Sequence, residues 1–109
     1  FGLLEYLDLS YNKIKEISFS NFPYNLKLLN LSHNNIFTNP VFIVKIHTLD
    51  FSFNNLISVK LSYTDNLLLN NNYLKEIFCL NENQNLKFMN LNNNKLQAFE
   101  NFRCLNFFI

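Results

Sequence analysis

Five asparagines, Asn12, Asn34, Asn54, Asn72 and Asn94, stand at the same place in five copies of one pattern. The copies read LEYLDLSYNKI (4–14), LKLLNLSHNNI (26–36), IHTLDFSFNNL (46–56), TDNLLLNNNYL (64–74) and LKFMNLNNNKL (86–96). Each fits L-x-x-L-x-L-x-x-N-x-L, and successive asparagines are 22, 20, 18 and 22 residues apart. The stretch after the asparagine also echoes: Asn12-Lys-Ile-Lys-Glu-Ile returns as Asn72-Tyr-Leu-Lys-Glu-Ile. A unit of this size cannot bury its apolar positions alone. Copies in register bury them by stacking on their neighbours, so the repeat itself dictates an elongated stack.

Composition supports a stack and removes several alternatives. Asn and Leu supply 22 and 20 of the 109 residues, and 49% of the chain is apolar, enough to form a core. The net charge of +1, with 9 Lys and Arg, lacks the basic excess of a nucleic-acid or anionic-membrane binder. One glycine, Gly2, cannot build a phosphate-cradling loop or a dinucleotide fingerprint. No apolar run nears the roughly 20 residues that a membrane-spanning helix needs.

The five windows resemble the leucine-rich repeat family over nearly the whole chain. The units fall near 4–25, 26–45, 46–63, 64–85 and 86–107. Departures are few: Thr64 and Ile46 take the first apolar position, and Phe51 and Met89 replace leucines. The 18-residue spacing is short, which puts the regularity of units three and four in question. The resemblance implies an α/β fold, a right-handed solenoid with a concave parallel β-sheet and short 3₁₀, extended or helical crossovers on the convex side. It also implies an internal fragment of about five repeats without capping ends, prone to self-associate.

The L-x-L core of each window alternates with period two and reads as a short strand with one buried face. Leu7 and Leu9, Leu29 and Leu31, Leu49 and Phe51, Leu67 and Leu69, and Met89 and Leu91 point inward. Equivalent strands run parallel at about 4.7–4.9 Å per repeat, joined by crossovers of roughly 9–13 residues. Asn12, Asn34, Asn54, Asn72 and Asn94 are architectural, their side chains bonding backbone groups where the chain leaves the strand, stacked as a buried ladder. Further asparagines tolerate left-handed backbone and explain how the chain manages with one glycine.

Ile17, Phe22, Val41, Ile43, Val59, Leu61, Ile77, Leu80, Phe99 and Phe102 close the core from the convex side, and the thirteen phenylalanines read mainly as core. Cys79 and Cys104 lie in adjacent units at different offsets, which favours two buried thiols over a disulfide.

The outward strand positions form the candidate functional surface. Position three reads Tyr6, Leu28, Thr48, Asn66 and Phe88. Position five reads Asp8, Asn30, Asp50, Leu68 and Asn90, and position eight reads Tyr11, His33, Phe53, Asn71 and Asn93, with Asn70 beside it in unit four. Tyr11, His33 and Phe53 should make a row of rings along one edge. Aromatic anchors among polar groups suit protein recognition, and the family uses this face to bind other proteins. The plain alternative is that these rings only brace neighbouring strands. No cofactor and no metal site is expected, since His33, His47 and Asp50 lack ligand spacing. Nor is catalysis: Asp8 and Asp50 stand about 10 Å apart, too far to share a proton, and no motif orients His33 or His47 against Ser52. One sequon, Asn30-Leu-Ser, lies on the same face. The phrases LDLSYNKI and LNLSHNNI resemble extracellular receptors and secreted immune or adhesion proteins. The unit containing LQAFENFRCLNFF resembles intracellular phosphatase-regulator or scaffold relatives. An extracellular or cell-surface protein partner is the preferred expectation, with a cytoplasmic scaffold or a ligand-free structural spacer as alternatives.

Overall fold

The computed structural model describes residues 4–18, 26–38, 46–61, 64–79, 86–97 and 102–103. Each sequence window contributes one strand to a five-stranded parallel sheet: β1 (Tyr6–Asp8), β2 (Leu28–Asn30), β3 (Ile46–Asp50), β5 (Thr64–Leu68) and β7 (Phe88–Asn90), in that spatial order. The register is that of the repeat. Leu7, Leu29, Leu49, Leu67 and Met89 pair across the sheet, flanked by the rows that begin at Tyr6 and at Asp8. The short spacing between units three and four leaves this register intact, and β3 and β5 are the longest strands of the sheet.

Where the crossovers are described, they take the extended form among the three expected. No described residue is helical. The crossover segments instead include β4 (Ser58–Leu61), β6 (Glu76–Cys79) and β8 (Phe102–Arg103), which pair in parallel as a second sheet of order β4-β6-β8. Asn54 and Asn72 are only 18 residues apart, which leaves a short return path, and extended chain covers the distance with fewest residues.

The core lies between the sheets in stacked rows. Leu29, Leu49 and Leu67 are fully buried, as are Leu31, Phe51 and Leu69 behind them and Ile36, Leu56 and Leu74 beyond the asparagines. Val59 and Ile77, paired in the second sheet, close the core from the other side. Leu4, Leu7, Leu9, Ile14 and Ile17 of unit one and Leu86, Leu91 and Leu96 of unit five pack on this cluster but are partly exposed. Burial is complete where a neighbouring unit covers the row from both sides, which is how a stack distributes its stability. Phe22, Val41, Ile43, Leu80, Phe99 and Cys104 lie outside the described residues, so neither these convex-side assignments nor the cysteine pairing has a structural counterpart here.

The asparagine ladder is present and has directional hydrogen bonds. Asn54 donates from Nδ2 to Leu31 O (2.9 Å), Phe51 O (3.0 Å) and Ser52 O (3.2 Å), and its Oδ1 accepts the N–H of Ile36 at 2.9 Å. Asn34, Asn72 and Asn94 repeat this with the N–H of Ile14, Leu56 and Leu74. Each thus ties its own turn to the preceding unit. Asn12 departs from a buried ladder: it is exposed and donates within its own turn, to Leu9 O and Ser10 O.

The residue before each ladder asparagine makes this possible. Strict strand alternation would send position eight inward and the asparagine outward. Tyr11, His33, Phe53, Asn71 and Asn93 all have φ between 55° and 60°, in the left-handed region, which breaks the alternation and turns the amide inward. The left-handed sites are therefore not an asparagine preserve. Three carry rings, at a backbone cost of about 1–2 kcal/mol each.

Candidate partner-binding face

The outward face of the five-stranded sheet is built by two rows in register and a third along its edge. The first row runs Tyr6, Leu28, Thr48, Asn66, Phe88. Tyr6 and Phe88 are 66% and 51% exposed, so the row has an aromatic anchor at each end. Its middle is more polar and half-buried. Asn66 Nδ2 donates to Thr48 Oγ1 at 3.3 Å, and His47 Nδ1 lies 3.0 Å from the same oxygen. Leu28 is half-buried and offers less apolar area than its sequence position suggested.

The second row, Asp8, Asn30, Asp50, Leu68, Asn90, has a structural duty that the sequence reading passed over. Asp8 Oδ1 accepts both the N–H and the hydroxyl of Ser10, at 2.9 and 2.6 Å. Asn30 does the same for Ser32 and Asp50 for Ser52. Asn90 accepts the N–H of Asn92. These are side-chain turns at the strand end, and the signal for them was visible as Asp/Asn-x-Ser in three units. The sequon Asn30-Leu-Ser is one copy of that turn, alongside Asp8-Leu-Ser and Asp50-Phe-Ser. The hydrogen bonds to Ser10, the hydroxyl's first and the N–H's second, hold the Asp8 carboxyl below its usual pKa of 3.8.

The third row is the most ordered. The rings of Tyr11 and His33 stack at 4.1 Å with planes 7° apart, and those of His33 and Phe53 at 4.3 Å and 10°. Tyr11 is 75% and Phe53 44% exposed. Left-handed backbone at each position projects the ring outward, and the one-unit spacing of the stack sets the ring separation. Asn71 and Asn93 continue the row as amides, and Asn70 Nδ2 donates to Asn71 Oδ1 at 3.0 Å. The phenylalanines are therefore divided. Phe51 is core, whereas Phe37, Phe53 and Phe88 are exposed, against the expectation that phenylalanine would mark the core.

The remaining candidates do not assemble. His33 is held in the ring stack, and His47 Nε2 faces Asp65 Oδ2 at 3.6 Å. No group of three metal-ligating side chains forms among the described residues. Ser52 is buried and gives its hydroxyl to Asp50 rather than to a histidine.

The Leucine Rich Repeat family pattern matches residues 3–24 and 25–44, the first two units. Residues 3–44 are leucine-rich repeats, and the three later units keep their sequence pattern and strand register. No curated protein and no solved structure matches it. Leucine-rich repeat domains generally mediate protein–protein interaction, and their solenoid is typically a non-catalytic binding scaffold. In this leucine-rich repeat chain, all three rows occupy the face that the strands turn away from the core. The groups on that face are rings, amides and carboxylates, capable of apolar contact and hydrogen bonding.

Proposed function

We propose that this chain is a protein-recognition module whose partner lies on the outward, concave face of the five-stranded sheet. The observation that carries the reading is the preformed ring row Tyr11–His33–Phe53 beside the exposed anchors Tyr6 and Phe88. Exposed aromatic side chains amid polar groups are the usual energetic centres of protein interfaces. Their rigid placement lowers the entropy lost on association. The partner-binding set is Tyr6, Tyr11, Leu28, His33, Phe53, Asn66, Asn70 and Phe88, with Asp8, Asn30, Asp50 and Asn90 contributing what the strand-end turns leave free.

The setting proposed is extracellular, in a receptor, adhesion or secreted immune-type protein. It rests on the resemblance of the repeat phrases.

The test takes the intact protein as bait, isolates its partner and measures affinity for Tyr6→Ala, Phe53→Ala and Phe88→Ala. Each should weaken binding by about 1–2 kcal/mol or more with the fold retained. Unchanged affinity across all three removes the sheet face as the interface.

A further inference from the structure

A second exposed surface lies on the flank of the stack, just past the asparagine ladder, where the sequence showed no motif. After each ladder asparagine the backbone continues to track its neighbour. Asn35 N–H donates to Ile14 O, Asn55 to Ile36 O, Tyr73 to Leu56 O and Lys95 to Leu74 O; Phe37 donates to Lys15 O and Lys75 to Ile57 O. This track aligns two outward rows. One is Lys13, Asn35, Asn55, Tyr73, Lys95, and the other is Lys15, Phe37, Ile57, Lys75, Gln97.

The rows enclose an open groove of about 780 Å³ whose walls include Phe37, Ile57 and Tyr73, with Lys75 and Lys95 beside them. The three apolar side chains are 51%, 54% and 52% exposed, an unusual concentration on one flank of a small chain. The charge is equally one-sided. The ten positions of the two rows hold four of the nine Lys and Arg and none of the eight acids; Glu16 and Glu76 lie one position further on. Among the described residues, none of the four lysines pairs with a carboxylate, whereas Lys27 on the opposite flank holds Glu5 at 2.8 Å.

We infer that this flank groove binds an acidic, aromatic- or aliphatic-bearing segment of a partner protein, separately from the sheet face. The apolar walls take the partner's large side chains, and Lys75 and Lys95 meet its carboxylates. Electrostatic complementarity of this kind sets orientation and excludes basic partners. Phe37 to Gln97 spans three unit spacings, about 14 Å, which four or five residues of extended chain would cover.

The test uses the whole chain and a fluorescein-labelled peptide alternating Glu with Phe and Leu, read by fluorescence anisotropy. Saturable binding is expected. Lys75→Glu with Lys95→Glu should weaken it about tenfold or more, and Ile57→Ser should weaken it several-fold. Tyr6→Ala, Phe88→Ala and the opposite-flank Lys87→Glu should leave it unchanged, with thermal melting of every variant confirming the fold. Because the sheet-face variants enter the same assay, failure of that face and failure of this groove are distinguished. Absence of saturable binding overturns the proposal. So does equal affinity for a Glu/Ser peptide or for oligothymidylate of the same charge, which would reduce the groove to a general polyanion patch. Equal weakening by Lys87→Glu overturns it on the same ground.

Discussion

Replacing Asn54 with Ala removes four hydrogen bonds, but its consequence concentrates on one atom. The carbonyls of Leu31 and Phe51 each accept from a second ladder amide, Asn34 and Asn72 respectively, and Ser52 O also accepts the N–H of His33. All three keep a donor. Among the described residues, Ile36 N–H has only Asn54 Oδ1, in a position where Ile36 is fully buried. Orphaning a buried donor costs about 1–3 kcal/mol. Weakening three carbonyls and vacating a 3%-exposed site add to that, giving about 2–4 kcal/mol in all. For a chain of about 100 residues this lowers the melting midpoint by about 10 °C or more. Asn12→Ala is the internal control: its bonds are local and exposed, and it should cost less than about 1 kcal/mol. The assay is thermal and urea unfolding of the two variants beside the unaltered chain. Equal midpoints for Asn54→Ala and the unaltered chain refute the ladder's energetic role. Equal losses for Asn54 and Asn12 refute its dependence on the preceding unit.

Three further outcomes follow from the same geometry. Among the described residues, Thr64 buries its hydroxyl without a hydrogen-bond partner where Ile46 stands in the preceding unit, so Thr64→Val should raise stability by about 1 kcal/mol, and a lower urea midpoint would contradict this. Phe53→Ala loses the ring stack while keeping left-handed backbone, and Phe53→Gly loses the stack but relieves the backbone; Gly should be the more stable by about 1 kcal/mol, and the reverse order would show φ at this site is not strained. The Asp8 carboxyl should titrate below 3.8 by NMR and move upward in Ser10→Ala; because its folded pKa is depressed, its contribution to stability is present above that value and fades as pH falls through the lowered one, and an unmoved midpoint would remove Ser10 as the cause.

The sheet was legible because its determinants recur. Alternation at Leu7/Leu9 and Leu29/Leu31 fixes which side chains turn inward, and a fixed asparagine offset fixes register without any long-range information. The ring row was legible for the same reason, since equal offsets in adjacent parallel strands place side chains side by side. The second sheet was not. Val59 and Ile77 share one offset from their asparagines and read as inward residues, but Val59 and Leu61, or Ile77 and Cys79, alternate over only four residues, too few to separate a strand from other extended chain. The duty of Asp8, Asn30 and Asp50 was written as Asp/Asn-x-Ser, but outward polar residues invite reading as ligand groups until the serine two places on is seen to occupy them. The flank groove was hidden because its walls come from different offsets: Tyr73 directly follows its ladder asparagine, whereas Phe37 and Ile57 stand three places after theirs.

Every binding surface described here exists only if the units stack in the register that the asparagines define. The most direct measurement is a set of proton NOEs in the folded chain between the rings of Tyr11, His33 and Phe53, together with cross-strand Hα contacts among Leu7, Leu29, Leu49, Leu67 and Met89. The account predicts ring contacts from Tyr11 to His33 and from His33 to Phe53, and none from Tyr11 to Phe53. Rings without mutual contacts, or leucine pairings shifted by one residue, would contradict it, because a one-residue slip turns every inward side chain to the outer face.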